Sequence, residues 1–146
     1  MPGSWTNSGP MSDDVFVQLL VGAESYALPV DAVIEVTMLE ASTPLPGGPP
    51  ELLGLQNLRG HALPVYDLGA YLGAGATQGA ARMVVVSDNG RRAGFAIDAV
   101  TGVGPLPERT ESDTALLSGS ALDGDRLVGV LAVDRLVSHL ERASHA

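Results

Sequence analysis

Apolar and polar residues along this chain change places in short runs, broken by Gly, Pro, Asn or Asp. That is the pattern of strands joined by tight turns. Val15–Val21 and Tyr26–Val30 flank Gly22-Ala23-Glu24-Ser25 and read as a hairpin. Ala32–Met38 reads as a third strand, with Val33, Val36 and Met38 set against Glu35 and Thr37. A Pro/Gly-rich loop follows at Pro44–Pro50, and Pro49-Pro50 predict one helical turn through Glu51–Leu53. Leu55–Leu58 and His61–Tyr66 flank Arg59-Gly60 as strand, turn, strand. Asp67 is then placed to cap a short helix, Leu68–Leu72, that Gly73 ends.

The second part of the chain repeats this plan. Ala74–Ala81 reads as a linker, followed by strands near Arg82–Ser87, Arg92–Ile97 and Val100–Leu106. The first two are joined by Asp88-Asn89-Gly90, and Asn-Gly is a strong hairpin signal. Pro107–Gly119 reads as a polar loop and Arg126–Val133 as a strand. Asp134 is expected to cap a helix, Arg135–Arg142, with Leu136, Val137 and Leu140 at helical spacing.

Laying residues 15–70 on 82–137, an offset of 67, gives ten identities in 56 positions. Among them are Asp31/Asp98, Ala32/Ala99, Val33/Val100, Leu39/Leu106, Thr43/Thr110, Arg59/Arg126 and Asp67/Asp134. Chance alone gives roughly five in so Gly-, Ala-, Leu- and Val-rich a chain. The shared order of strand-like runs adds to the count. The expectation is a mainly β protein of two similar halves, each too small to be very stable alone, packed across one seam. Residues 1–14 and 141–146 are expected to be tails outside one domain over 15–140.

Composition narrows what the protein can do. The 146 residues are 45% hydrophobic and 17% charged, as in a folded globular domain. Eight basic against 17 acidic residues give a net charge of −9, which disfavours nucleic acid and anionic membrane surfaces as partners. The chain has no cysteine, which excludes disulfides and thiolate chemistry and fits a cytoplasmic setting. No apolar run is long enough for a membrane span.

Candidate chemistry is sparse. His61, His139 and His145 have no partner at metal-ligand spacing, so no metal and no cofactor is expected. Asp67 and Asp98 raise the remote alternative of a small aspartate-dependent hydrolase. However, an N-cap explains Asp67, a strand end explains Asp98, and the Asp-Thr-Gly string of aspartic proteases is missing. Glu35 in mid-strand and Arg59 at a bend leave two readings open: a surface ion pair worth about 0–1 kcal/mol, or an arginine presented to a partner.

The string Gly54-Leu55-Gln56-Asn57-Leu58-Arg59-Gly60-His61-Ala62-Leu63-Pro64-Val65-Tyr66-Asp67-Leu68 resembles the signature of CheW-like domains. Tyr26–Val30, Val33-x-Glu35-Val36, Gly94–Asp98 and Asp123–Val128 extend the resemblance over roughly residues 15–140. The stretch from Pro105 to Leu122 is shorter than usual in that family. The resemblance implies two SH3-like five-stranded β-barrel subdomains with short helices and a C-terminal helix. It also implies a non-catalytic adaptor that joins the cytoplasmic tip of a chemoreceptor (a methyl-accepting chemotaxis protein) to the regulatory domain of a CheA-type histidine kinase. Such an adaptor is cytoplasmic and recruited to receptor arrays; a pathway controlling surface motility or development is the alternative. By the same resemblance, Val33, Glu35, Gly54, Asn57, Arg59 and Gly60 are the candidates for a receptor-facing groove, with Glu35 and Arg59 paired.

Overall fold

The fold is built from exchanged strands. A computed structural model describes residues 15–73, 82–107, 109–111 and 116–138. Its strands are β1 (Phe16–Val21), β2 (Glu24–Pro29), β3 (Val33–Met38), β4 (Leu52–Leu58), β5 (His61–Asp67), β6 (Arg82–Asp88), β7 (Arg91–Ile97), β8 (Ala99–Gly104), β9 (Arg109–Glu111), β10 (Leu117–Asp123) and β11 (Arg126–Leu131). A 3-10 turn, Val30–Ala32, precedes β3; helix α1 is Leu68–Leu72, and helical backbone at 133–138 forms α2. The expected linker at 74–81, the tails and the end of the last helix lie outside the described residues.

One sheet runs β8-β1-β2-β11-β10-β9 and the other β3-β6-β7-β5-β4. Each is therefore five strands, the first with three-residue β9 added at its edge. In each sheet the leading hairpin comes from one half of the chain and the remaining strands from the other. The halves are stitched by four pairings: two antiparallel, β1 with β8 and β3 with β6, and two parallel, β5 with β7 (Val65↔Gly94) and β11 with β2 (Val128↔Ser25). The remaining pairings are antiparallel.

The register reproduces the repeat in detail. Leu19 pairs with Val100 and Gln18 with Gly102; 67 residues along, Val33 pairs with Val86 and Glu35 with Val85. Both pairings carry a bulge at the same place, at Thr101 and at Ile34. A bulge holds one unpaired extra residue and sharpens the local twist. Thr43 bridges Leu55 as Thr110 pairs with Ser120.

Beyond that bridge the offset changes from 67 to 65, for β4 and β10 start at Leu52 and Leu117, β5 and β11 at His61 and Arg126. The loop before β10 is two residues shorter than the one before β4. Arg59 therefore corresponds to Gly124 rather than to Arg126, and Asp67 to Ala132 rather than to Asp134. The identities Leu55/Leu122, Arg59/Arg126 and Asp67/Asp134 are coincidences, replaced by Leu52/Leu117, Gly54/Gly119 and Val65/Val130.

The capping expectations divide accordingly. Asp67 does cap α1, accepting from the Ala70 N–H at 3.2 Å. In α2 the first helical bond runs from Leu136 N–H to Ala132 C=O at 2.8 Å. Helix therefore begins before Arg135, and Asp134 sits inside its first turn instead of capping it. No helical turn forms at Glu51–Leu53: Leu52 N–H bonds to Pro49 C=O at 3.0 Å in a tight turn, and β4 starts at once. The supposed loop over Pro107–Gly119 contains β9 and the start of β10.

Burial follows the exchange. The main core is the seam, where Leu19, Val21 and Leu28 meet Val84, Val86, Phe95 and Ile97, closed by Tyr66, Leu68, Leu131 and Leu136. Tyr66 and Phe95, paired across the parallel junction, stack with ring centroids 6.0 Å apart. Each sheet also wraps a small interior of its own. Phe16, Ala27, Val128 and Val130 with Leu106 fill one; Leu63, Val65, Met83 and Val85 with Leu39 and Leu58 fill the other. Phe16/Met83, Val128/Leu63, Val130/Val65 and Leu106/Leu39 are matched positions. At about 25 cal/mol per Å² of apolar surface removed from water, neither small interior rivals the seam, so the halves stand or fall together.

Candidate functional site

Strand β3 carries its polar residues on the more buried face. Val33, Glu35 and Thr37 are half-buried, whereas Ile34, Val36 and Met38 are 45%, 38% and 56% exposed. Val36 and Met38 do lie opposite Glu35 and Thr37 as expected, but Val33 shares the polar residues' face, and that face is the more buried one. The strand's edge position accounts for it: β3 pairs on one side only, and its outer face has no layer above it.

Glu35 uses that inward aim to meet Arg59. The Arg59 guanidinium donates through Nη1 to Glu35 Oε1, joining the β4–β5 turn to the opposite edge of the same sheet. The Arg59 side chain is 71% exposed and that of Glu35 18%. The hydrogen bond and charge of Glu35 push the Arg59 guanidinium further above its ordinary value, so it stays protonated at any working pH. A guanidinium has five N–H donors, and most of those of Arg59 face solvent. An exposed pair of this kind adds little to stability. What it does is hold an arginine ready for bidentate contact with a carboxylate or backbone carbonyl.

Backbone geometry sets the arginine in place. Arg59 and Gly60 form a two-residue turn with φ of 51° and 85°, both left-handed, as a type I′ hairpin requires. The Asn57 side-chain carbonyl accepts from the Gly60 N–H at 3.0 Å. Gly54 has φ of 144°, and a Cβ there would lie 2.4 Å from the Thr43 carbonyl oxygen. Only glycine lets the strand at Thr43 cross so closely, with Thr43 and Leu55 exchanging bonds of 2.8 and 2.9 Å.

Of the six expected groove residues, the structure brings Glu35, Asn57, Arg59 and Gly60 to one corner. Gly54 lies further along β4 as a backbone crossing point, and Val33 packs against the shared core. The sequence reading missed Gln56, which is 3% exposed. It accepts from Glu40 N–H at 2.9 Å and donates to Met38 C=O at 3.4 Å, tying the end of β3 to β4. Its alternation with Gly54 and Leu58 was the available signal. The hydrolase aspartates are committed elsewhere: Asp67 caps α1, and Asp98 accepts from the Gly22 N–H. A cavity of about 520 Å³ lined by Asp31, Ser87, Asp88 and Asn89 on one side and Ala132–Arg135 on the other contains none of the six.

Residues 16–141 match the model of the CheW-like domain. The chain belongs to the CheW-like family. It is 31% identical over 132 residues to the chemotaxis protein CheW of Helicobacter pylori, covering 84% of this chain and 80% of that one. To the probable chemotaxis protein CheW of Rhizobium etli it is 30% identical over 125 residues, with 84% and 80% covered. Among solved structures it resembles the scaffolding protein TtCheW from Thermoanaerobacter tengcongensis, with a TM-score of 0.73 and 30% identity over 82% of this chain and 88% of that one. The mainly β, SH3-like two-subdomain fold is thus that of a CheW scaffold. CheW-like proteins are non-catalytic, and this chain is a chemotaxis scaffold of that kind.

Proposed function

We propose that this CheW-like chain couples the cytoplasmic tip of a chemoreceptor to a CheA-type histidine kinase, acting in the cytoplasm and drawn to membrane-bound receptor arrays by those contacts. The observation that carries the proposal is the exposed Arg59, held by Glu35 of β3, the same strand whose other face leaves Ile34, Val36 and Met38 uncovered. An arginine with spare donors on a strand edge that also exposes aliphatic side chains suits an amphipathic helix, which offers apolar residues at helical spacing and a carboxylate or helix-end carbonyls. Among the described residues no helix is long and apolar enough to cross a membrane, so attachment through protein contacts is the simpler arrangement.

The test is co-sedimentation of the full chain with a receptor signalling fragment and the kinase over a range of concentrations. The parent should enter the receptor–kinase complex, and Arg59→Ala should lose the receptor at an unchanged melting temperature. Receptor capture by Arg59→Ala equal to that of the parent defeats the proposal.

A further inference from the structure

We infer that Asn57 is a positioning residue for Arg59: its side-chain carbonyl, bonded to the Gly60 N–H, holds the turn that aims the guanidinium at Glu35 and at a partner. The inference rests on the coupling function proposed above and redefines Asn57 within it, from a groove contact to a brace.

The chain contains its own control. Among the described residues, two hairpin turns have a non-glycine residue at positive φ followed by glycine: Arg59-Gly60 and Asn89-Gly90, with first-residue φ of 51° and 53°. Asn-Gly is the pair such a turn favours, because a short polar side chain tolerates the left-handed region. Arginine has no such advantage. A turn chosen only for folding would carry Asn at position 59, as the β6–β7 turn does at 89. Arg59 occupies a backbone conformation that costs roughly what Asn or Gly would avoid, which is the mark of a residue kept for its side chain.

Something must then favour the turn in the chain's interest, and Asn57 supplies it. Its bond to Gly60 is intraturn, spanning three residues at 3.0 Å, and it satisfies a backbone donor at the exposed tip. Without it, Arg59 and Gly60 have wider choice of φ and ψ, and the guanidinium leaves the one orientation that reaches Glu35 on the far edge of the sheet. A partner binding Arg59 would then have to order the turn as well, and affinity falls by that fraction of time the turn is misplaced.

The experiment is a double-mutant cycle in the full chain, Asn57→Ala and Arg59→Ala singly and together, with Asn57→Asp as the variant that keeps the acceptor. Affinity for a receptor signalling fragment and hydrogen exchange at the Gly60 amide are measured in each. Asn57→Ala should raise Gly60 exchange and weaken binding on the order of fivefold to tenfold, and it should add nothing once Arg59 is alanine. Asn57→Asp should keep Gly60 protected and keep most of the affinity. Losses that multiply in the double variant overturn the inference, since Asn57 would then touch the partner itself; so does unchanged Gly60 exchange in Asn57→Ala. If Arg59→Ala binds the receptor as the parent does, the coupling proposal fails, while Gly60 exchange still decides whether Asn57 braces the turn.

Discussion

The corner that holds Glu35 and Arg59 exists twice in this molecule, and in its second copy both positions are glycine. Gly102 follows the bulge in β8 and faces Gln18 as Glu35 follows the bulge in β3 and faces Val85. Gly124 opens the β10–β11 turn at φ 65° as Arg59 opens the β4–β5 turn at φ 51°. The bulge, the turn and the strand pairing all form at the glycine corner, so neither charge is needed to build them. What differs is the outward chemistry. Around the glycines lie Val103, Leu122 and Leu127, exposed by 65%, 60% and 65%, where the first corner has Val36, Asn57 and Ala62 around an ion pair. Duplication supplies a scaffold twice over, and the difference between copies isolates the residues kept for something other than folding.

The comparison breaks most severely at Gly54. Its counterpart Gly119 has no left-handed φ, whereas Gly54 combines φ 144° with a chain crossing that leaves no room for a methyl group. Gly54→Ala should cost about 2–4 kcal/mol, from a disallowed backbone angle together with a displaced Thr43 strand. Gly102→Ala, with nothing within 4 Å of the added carbon, should stay within about 0.5 kcal/mol. Urea unfolding of the two variants measures both. Equal losses would mean that the crossing at Thr43 is not what demands glycine.

Next in size are the two aspartates that open the helices. Asp67 is 8% exposed and caps α1; Asp134 stands within the first turn of α2, after Ala132. Asp67→Ala should destabilise by about 1–2 kcal/mol and Asp134→Ala by no more than about 0.5 kcal/mol, the residue of a helix-dipole contact. Thermal melts separate these, and similar losses would restore the two aspartates as equivalents.

These aspartates also show how far the sequence could be read. Nine of the eleven strands were visible in alternation and turn residues, and the family motif around Asn57-Leu58-Arg59-Gly60 located the corner. Strands β9 and β10 were not: three residues in a polar stretch leave no period to detect, and the Gly and Ser residues of Leu117–Asp123 read as loop. The misplaced cap came from an alignment without a gap: two residues missing from one loop shift everything after it, and three chance identities concealed the shift. The outward aim of Ile34, Val36 and Met38 was also hidden. Alternation shows that a strand has two faces but not which of them the rest of the fold covers, and in this edge strand the covered face is the one that carries Glu35 and Thr37. The exchange of strands between sheets is equally silent in the sequence, since each half reads the same whichever partner it pairs with.

A smaller effect runs in the opposite direction to most substitutions. Arg59→Asn would give the first corner the Asn-Gly turn that β6 and β7 already use at Asn89-Gly90. It should stabilise the fold by about 0.5–1 kcal/mol, after the loss of a weak exposed ion pair is counted, while receptor capture is lost. Chemical unfolding beside the co-sedimentation assay tests both halves of that statement. A destabilised Arg59→Asn would mean that the Glu35 contact, and not the partner, is why arginine stands there.

The least effect is expected at Tyr26, whose counterpart in the other sheet is Ala93. Burial, and after it the nearby Glu24 charge, pushes the Tyr26 phenol above its ordinary value of 10.0. The folded protein therefore holds the neutral phenol more strongly than the unfolded chain does. Its contribution is complete below about pH 10, where both states carry the proton, and is lost as pH rises through the folded value. Tyr26→Phe removes the titrating group while keeping the ring that packs beside Gly129. Urea midpoints followed from pH 9 to pH 11 should thus fall less steeply for Tyr26→Phe than for the parent. Ala93→Tyr would not make the second sheet match, because Ala93 is buried in the seam with Phe95 and Ile97 and leaves a ring no exit to solvent. Parallel slopes for the parent and Tyr26→Phe would show that the phenol is solvated in the folded state, removing this last difference between the two sheets.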